Sequence, residues 1–178
     1  MINPIEPRFI KNPGIIRFID VGRLSKLDLL KKLKKNSISL NPLAEQLFES
    51  SHFTTSKSRI RVATIEITVE ELGFHHGANI PDIYSKADDL GFRLCPLELA
   101  PNFRLQYLNQ LEGHCDEMLQ QGQAPAGSIT IASMQQEDAN SPQGFYLRNI
   151  KGHLWLRGYR CSLDHVWKAN DHFFFMTQ

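Results

Sequence analysis

Four groups of residues in this chain have types and spacing that could do chemistry. Cys95 stands before Pro96, and proline suits the first position of a helical turn, which leaves Cys95 as the cap. A thiol there meets unpaired N–H groups and the positive helix end, which lower its pKa. A histidine could then serve as its base, giving a small cysteine-dependent enzyme. Flanked by Leu94 and Leu97, the same cysteine also reads as a small core residue.

The second group is Glu98, Arg104, Gln106, Tyr107 and Gln110. The segment Phe103-Arg104-Leu105-Gln106-Tyr107 alternates as a half-buried strand does, which would put Arg104 and Gln106 on one face. The rigid fork of arginine matches a carboxylate or a phosphate, so an acidic small molecule or a partner's acidic group would dock there. The plainer reading is an internal Arg104–Glu98 ion pair completed by the amides.

The third group lies on a hairpin expected over Phe145 to Tyr159, turning at Lys151-Gly152. A two-residue turn sets Ile150 against His153, Arg148 against Trp155 and Tyr146 against Arg157. Phe145, Leu147, Leu154 and Leu156 then share the core side. The outer face carries Tyr146, Arg148, His153, Trp155, Arg157 and Tyr159. Such a face could stack bases of single-stranded nucleic acid or anchor a partner protein. It could equally be an internal ladder of cation–π pairs.

Histidines form the last group, with His75-His76 and His114-Cys115 as the pairs that invite a metal. Adjacent side chains rarely turn to one ion, and no helical i, i+4 pair supports them. No metal and no cofactor is expected. The chain has no Gly-x-x-x-x-Gly-Lys-Ser/Thr loop, Gly-x-Ser-x-Gly elbow or paired-histidine protease helix.

The elements that position these groups follow from composition and local signals. A length of 178 residues with 42% hydrophobic content and eleven phenylalanines supports one α+β domain over 1–178. A net charge of +1 argues against a generally basic nucleic-acid binder. No apolar run approaches the ~20 residues of a membrane span. Three cysteines without framework spacing and the absence of a signal-like start point to reduced thiols in a cytoplasm. Residues 1–14 hold three prolines and read as an extended arm; 113–127 read as a polar surface insertion.

Between them, Ile15 to Val21 reads as a strand. Ser25 caps a helix with Asp28 at its third position. Leu27, Leu30 and Leu33 would face inward, beside a lysine-rich surface that is either a phosphate-binding face or a solvated one. Asn41-Pro42 opens a second helix through Ser50, and Thr54 to Ser58 is a polar loop. Arg59 to Ile67 is a strand whose apolar phase shifts, implying a bulge or burial on both faces. Thr68 to Glu71 forms a capping box, a helix opens near Asn79, and Gly73 and Gly91 each end a turn between a leucine and a phenylalanine. Ser128 to Met134 and Phe173 to Met176 complete the strands. Helices early and strands late favour a mainly antiparallel sheet with the N-terminal and central helices packed on one face. The expected core includes Leu30, Leu47, Ile65, Ile83, Leu90, Leu105, Ile131, Leu147 and Leu156.

The run Val69-Glu70-Glu71-Leu72-Gly73-Phe74, with Gly77-Ala78, Leu94-Cys95-Pro96, Glu98, Arg104-Leu105-Gln106-Tyr107 and Gln110, resembles a family of small uncharacterised bacterial proteins. Looser agreement extends to the early helices, Leu154-Trp155-Leu156 and the Trp167 to Phe174 tail. The resemblance implies a bacterial origin and no particular chemistry, and 111–127 is longer here than in the family's pattern. The reading that results is a non-enzymatic binding module for an acidic ligand or a partner. A Cys95 enzyme and a single-stranded nucleic-acid accessory protein are its alternatives.

Overall fold

Glycines at two chain reversals shape the central stretch. In the computed structural model, which describes residues 14–113, 123–138 and 140–177, Gly73 and Gly91 have φ of 105° and 82°. The Phe74 N–H donates to Val69 O at 3.1 Å and the Phe92 N–H to Ala87 O at 2.9 Å. This is the six-to-one closure that a left-handed residue permits. Thr68 and Glu71 exchange the two bonds of a capping box, Glu71 N–H to Thr68 Oγ1 at 3.1 Å and Thr68 N–H to Glu71 Oε2 at 2.7 Å. The box opens a turn there, not a helix.

The strands are β1 Ile15–Val21, β2 Ser39–Leu40, β3 Ile60–Thr68, β4 Ile129–Ile131, β5 Gly144–Ile150, β6 His153–Tyr159 and β7 His172–Met176. The helices are α1 Lys26–Lys35, α2 Pro42–Glu49, α3 Ile80–Asp89 and α4 Leu99–Gln106. The seven strands among the described residues join one sheet in the order β1-β3-β7-β4-β5-β6-β2. The α+β composition matches the expectation, but the sheet is mixed. β4 runs parallel to β7, and β2 runs parallel to β6. The expectation of a mainly antiparallel sheet missed the insertion of the three-residue β4 between β7 and β5, a crossover that local patterning does not encode.

Burial on both sheet faces corrects the one-face expectation for the helices. In β7, Phe174 belongs to a cluster with Leu29 and Leu33 of α1, Ala44, Leu47 and Phe48 of α2, and Leu99 and Phe103 of α4. Its neighbours Phe173 and Phe175 belong to a second cluster with Ile80, Ile83 and Ala87 of α3. Alternate side chains of a strand point to opposite faces, so α3 contributes to the face opposite α1, α2 and α4. β3 is accordingly buried on both faces from Thr64 to Ile67, and its register against β1 is unbroken, without a bulge.

Three local expectations also change. Leu27 is exposed and Leu29 takes its place in the core, with Leu33. β4 is shorter than the Ser128 to Met134 strand expected. Residues 103–106 are helical in α4 and do not form a strand. Leu99, Ala100 and Phe103 recur at helical spacing and are fully buried, and Pro101 is tolerated in the first turn. Five alternating residues are too short a run to outweigh that stripe.

The hairpin has its expected register: Ile150 opposite His153, Arg148 opposite Trp155 and Tyr146 opposite Arg157. Lys151 and Gly152 have φ of 51° and 76°, the pair of left-handed residues that a type I′ turn requires. Phe145, Leu147 and Leu156 are fully buried on the α2 and α4 side. The expected arm lies almost wholly outside the described residues, as do His114, Cys115 and most of 113–127.

Candidate functional site

Where β1 runs out, Gly22 and Arg23 both turn left-handed, at φ of 98° and 64°. A Cβ on Gly22 would lie 2.1 Å from Ser58 O, so only glycine fits this approach. The Arg23 N–H donates to Ser56 O at 2.8 Å. Ser56 is held in turn by the Glu98 carboxylate, which accepts from its N–H at 2.9 Å and from its hydroxyl. Ser25 then caps α1, its Oγ accepting from the Asp28 N–H at 3.2 Å. This tight path from strand to helix projects the Arg23 side chain outward.

Beside it opens a cleft of about 470 Å³. Arg23, Lys32, Arg59 and Asp20 supply its charges, and Asn36, Asn102 and Gln106 supply its amides. Arg59 Nη2 pairs with Asp20 Oδ2 at 2.6 Å. Among the described residues, the Arg23 and Lys32 side chains make no salt bridge or hydrogen bond. Gln106 is fixed by the backbone of β1: its Oε1 accepts from the Asp20 N–H at 3.0 Å and its Nε2 donates to Asp20 O at 2.8 Å. The site therefore carries three cations against one carboxylate over a rigid amide wall. Exposed guanidinium and ammonium groups so placed attract carboxylates and phosphates.

Of the residues expected to bind, only Gln106 lines this cleft. Arg104 is fully buried; its Nη1 donates to Gln110 Oε1 at 2.5 Å and its Nη2 to Tyr107 O. It does not share a face with Gln106, because a helix turns residues two apart to different sides. The expected Arg104–Glu98 pair is absent too, since Glu98 serves Ser56. Burial pulls the Arg104 guanidinium down to about 10. Gln110 passes the connection on, its Nε2 donating to Gly127 O at 2.9 Å and to Leu147 O at 3.3 Å. Arg104 and Gln110 thus fasten the end of α4 to β5.

The Tyr107 ring also touches a second polar group, which sequence reasoning missed. Glu66, 7% exposed at its side chain, accepts from Arg17 Nη2 at 2.7 Å and meets His172 Nδ1 at 2.9 Å. Tyr107 stacks on Phe103, and the Arg17 guanidinium lies 4.5 Å from the Tyr107 ring. Burial pushes the Glu66 carboxyl up, but the hydrogen bonds from His172 and Arg17 outweigh it and hold the group below its ordinary value. The bond to Glu66 raises His172 against the opposing effect of burial. The only signal in the letters was a glutamate between Ile65 and Ile67 in a β-branched run.

Cys95 lies in the core at 3% exposure, with Sγ 3.5 Å from Phe174 O. Burial drives its thiol far above the ordinary range. It precedes α4 by four residues, and Glu98 occupies the cap position. The helix-end activation that a nucleophile needs is therefore missing. On the hairpin, Arg148 is buried, and Tyr146, Trp155, Arg157 and Tyr159 are half-buried. A cation–π contact there runs along β6, with the Arg157 guanidinium 5.1 Å from the Trp155 ring. His75 Nδ1 meets Glu70 Oε1 at 3.4 Å on the surface. Among the described residues, no three His, Cys, Asp or Glu side chains are grouped to hold a metal ion, and no helix is long and apolar enough to cross a membrane.

Comparison with family models, with curated proteins and with solved structures gave no match.

Proposed function

We propose that the protein is a non-enzymatic binding module that takes an acidic ligand, a small molecule or a partner's carboxylate or phosphate, in the cleft beside β1 and α1. The observation that carries this reading is the charge balance of the cleft lining, in which Arg23, Lys32 and Arg59 stand with Asp20 as the one carboxylate among the described residues, Asp28 of α1 lying outside the lining but near Lys32. Arg23 and Lys32 provide the uncommitted donors. Arg59 joins them when a ligand oxygen competes with Asp20, and its planar fork suits a two-oxygen acceptor. All three cations are exposed, so binding weakens as salt rises. The same features serve the partner reading, because a docked acidic side chain presents the chemistry of a small carboxylate.

Thermal denaturation in the presence of phosphate, citrate and a sugar phosphate, against chloride at matched ionic strength, tests this directly. A ligand that binds only the folded state stabilises it by about 2.7 kcal/mol at 100 times its Kd, and Tm rises with its concentration. The rise is expected in the wild type and should be lost in the Arg23→Ala/Lys32→Ala double variant. Equal Tm values in all the anions would sink the proposal.

A further inference from the structure

On the opposite face of the sheet from that cleft, a second pocket lies between the hairpin, 160–167 and the 123–128 segment. Thr130 of β4, Tyr146 of β5 and Tyr159 of β6 give it a floor from three neighbouring strands. Trp167 and His165 stand at its side, edge to face at 5.2 Å between centroids, and Trp167 meets Tyr159 at 5.7 Å and 86°. These contacts fix the walls: Tyr146 and Tyr159 are themselves edge to face at 6.4 Å. The Trp167 backbone is pinned by paired bonds with Ala78 of 2.9 and 3.1 Å. Aromatic side chains locked against one another in this way form a preshaped slot for a flat ring.

The volume of this pocket is about 140 Å³. An apolar cavity of roughly 150 Å³ in another protein holds one benzene, so the space here matches a single six-membered ring and not a fused pair. Its charge is one-sided. Arg160 lines the mouth as an exposed guanidinium, and among the described residues no aspartate or glutamate lines the pocket. Among the described residues Arg160 makes no salt bridge, although Asp138 lies near enough to feel its charge. Asp164 and Asp171 sit on the side of His165. A ring carrying one anionic group would stack against the aromatic walls and direct that group to Arg160.

We infer that this pocket binds a one-ring aromatic carboxylate, a molecule of benzoate or hydroxybenzoate size. The inference is independent of the acidic-ligand cleft, which lies on the other face and has no aromatic wall. The chain contains two tryptophans, so its indole N–H region in a proton–nitrogen correlation spectrum holds two signals. Trp155→Phe assigns them. Among the described residues the buried Trp167 N–H has no hydrogen-bond partner, so ring-current changes dominate its response.

Titration with sodium benzoate should move the Trp167 signal saturably and leave the Trp155 signal in place. Acetate, which lacks the ring, should not move it, and benzamide, which lacks the charge, should bind roughly tenfold more weakly. Arg160→Gln, a change at an exposed position, should bring benzoate down to the level of benzamide. Arg23→Ala/Lys32→Ala should leave the Trp167 response intact, which separates this pocket from the cleft. The inference is overturned if benzoate leaves Trp167 unmoved at millimolar concentration, or if acetate matches it. It is equally overturned if the response is lost with Arg23 and Lys32 and survives Arg160→Gln.

Discussion

Arg23 holds a backbone conformation that costs an L-residue about 1 kcal/mol or more relative to glycine, at φ 64°, and its side chain is exposed at the mouth of the cleft. Strain of this kind persists where the surroundings fix it, and it gathers at binding sites. Arg23→Gly is therefore expected to raise the unfolding free energy by about 0.5–1 kcal/mol, measured in denaturant, while weakening the Tm response to anions. A variant both less stable and weaker in binding would refute the trade. Arg104 makes the opposite case. Replacement by methionine keeps the bulk but removes two charge-assisted bonds and strands Gln110 Oε1 and Tyr107 O. A loss of about 3 kcal/mol is expected, with no change in anion binding. Both residues were visible as cations in the letters, yet their roles were exchanged. Alternation suggested an exposed Arg104, whereas a helical stripe ending at Phe103 buries it. Nothing local marked Arg23, because the cleft forms only when Ser56, Gln106 and Asp20 converge from three separate segments.

Among the elements, the hairpin was the most legible, since a two-residue turn and a period of two determine every pairing in it. Its turn keeps a lysine at φ 51° where asparagine is favoured. Lys151→Asn should stabilise the protein by roughly 0.5 kcal/mol, read as a shift in denaturant midpoint at constant slope. The backbone N–H of residue 151, which donates to Glu112 Oε1 at 2.7 Å, is retained in the variant. Gly158 tests a longer-range fit. A Cβ there would come within 2.6 Å of Leu43 C and 2.7 Å of Ala44 N, because the start of α2 lies directly on β6. Gly158→Ala must push α2 away and should cost about 1–3 kcal/mol. Caps at Ser25, Asn41 and Asn79 and the bonding of the box at Thr68 were readable for the same reason as the hairpin: donor and acceptor are three residues apart. The parallel placements of β2 and β4 were not, for they depend on partners about 40 to 116 residues away in the chain.

At the scale of the molecule, Glu66 and His172 link the neighbouring strands β3 and β7 to the pH of the solution. Besides Glu66, the carboxylates of Glu71 and Asp171 also act on His172 and favour its charged form. The folded pKa of His172 lies above its ordinary 6.5, so the folded state holds this proton more tightly than the unfolded state. The resulting stabilisation is fully present below 6.5 and is lost as pH rises through the folded value. Glu66 works in the other sense. Its folded pKa lies below the ordinary 4.5, so its contribution is present above 4.5 and fades as pH falls through the folded value. Together the two groups favour a window between these ordinary values, with a decline on the alkaline side that belongs to His172. The measurement is the difference in unfolding free energy between wild type and His172→Asn, taken at about pH 5.5 and about pH 8.5. Asparagine keeps a donor toward Glu66 but cannot titrate, so the wild-type advantage should be larger at the lower pH and shrink at the higher. Glu66→Gln should remove most of that pH dependence, because the carboxylate is the principal group that raises His172. An advantage that stayed constant, or grew with pH, would mean that the proton on His172 is not what couples β3 to β7.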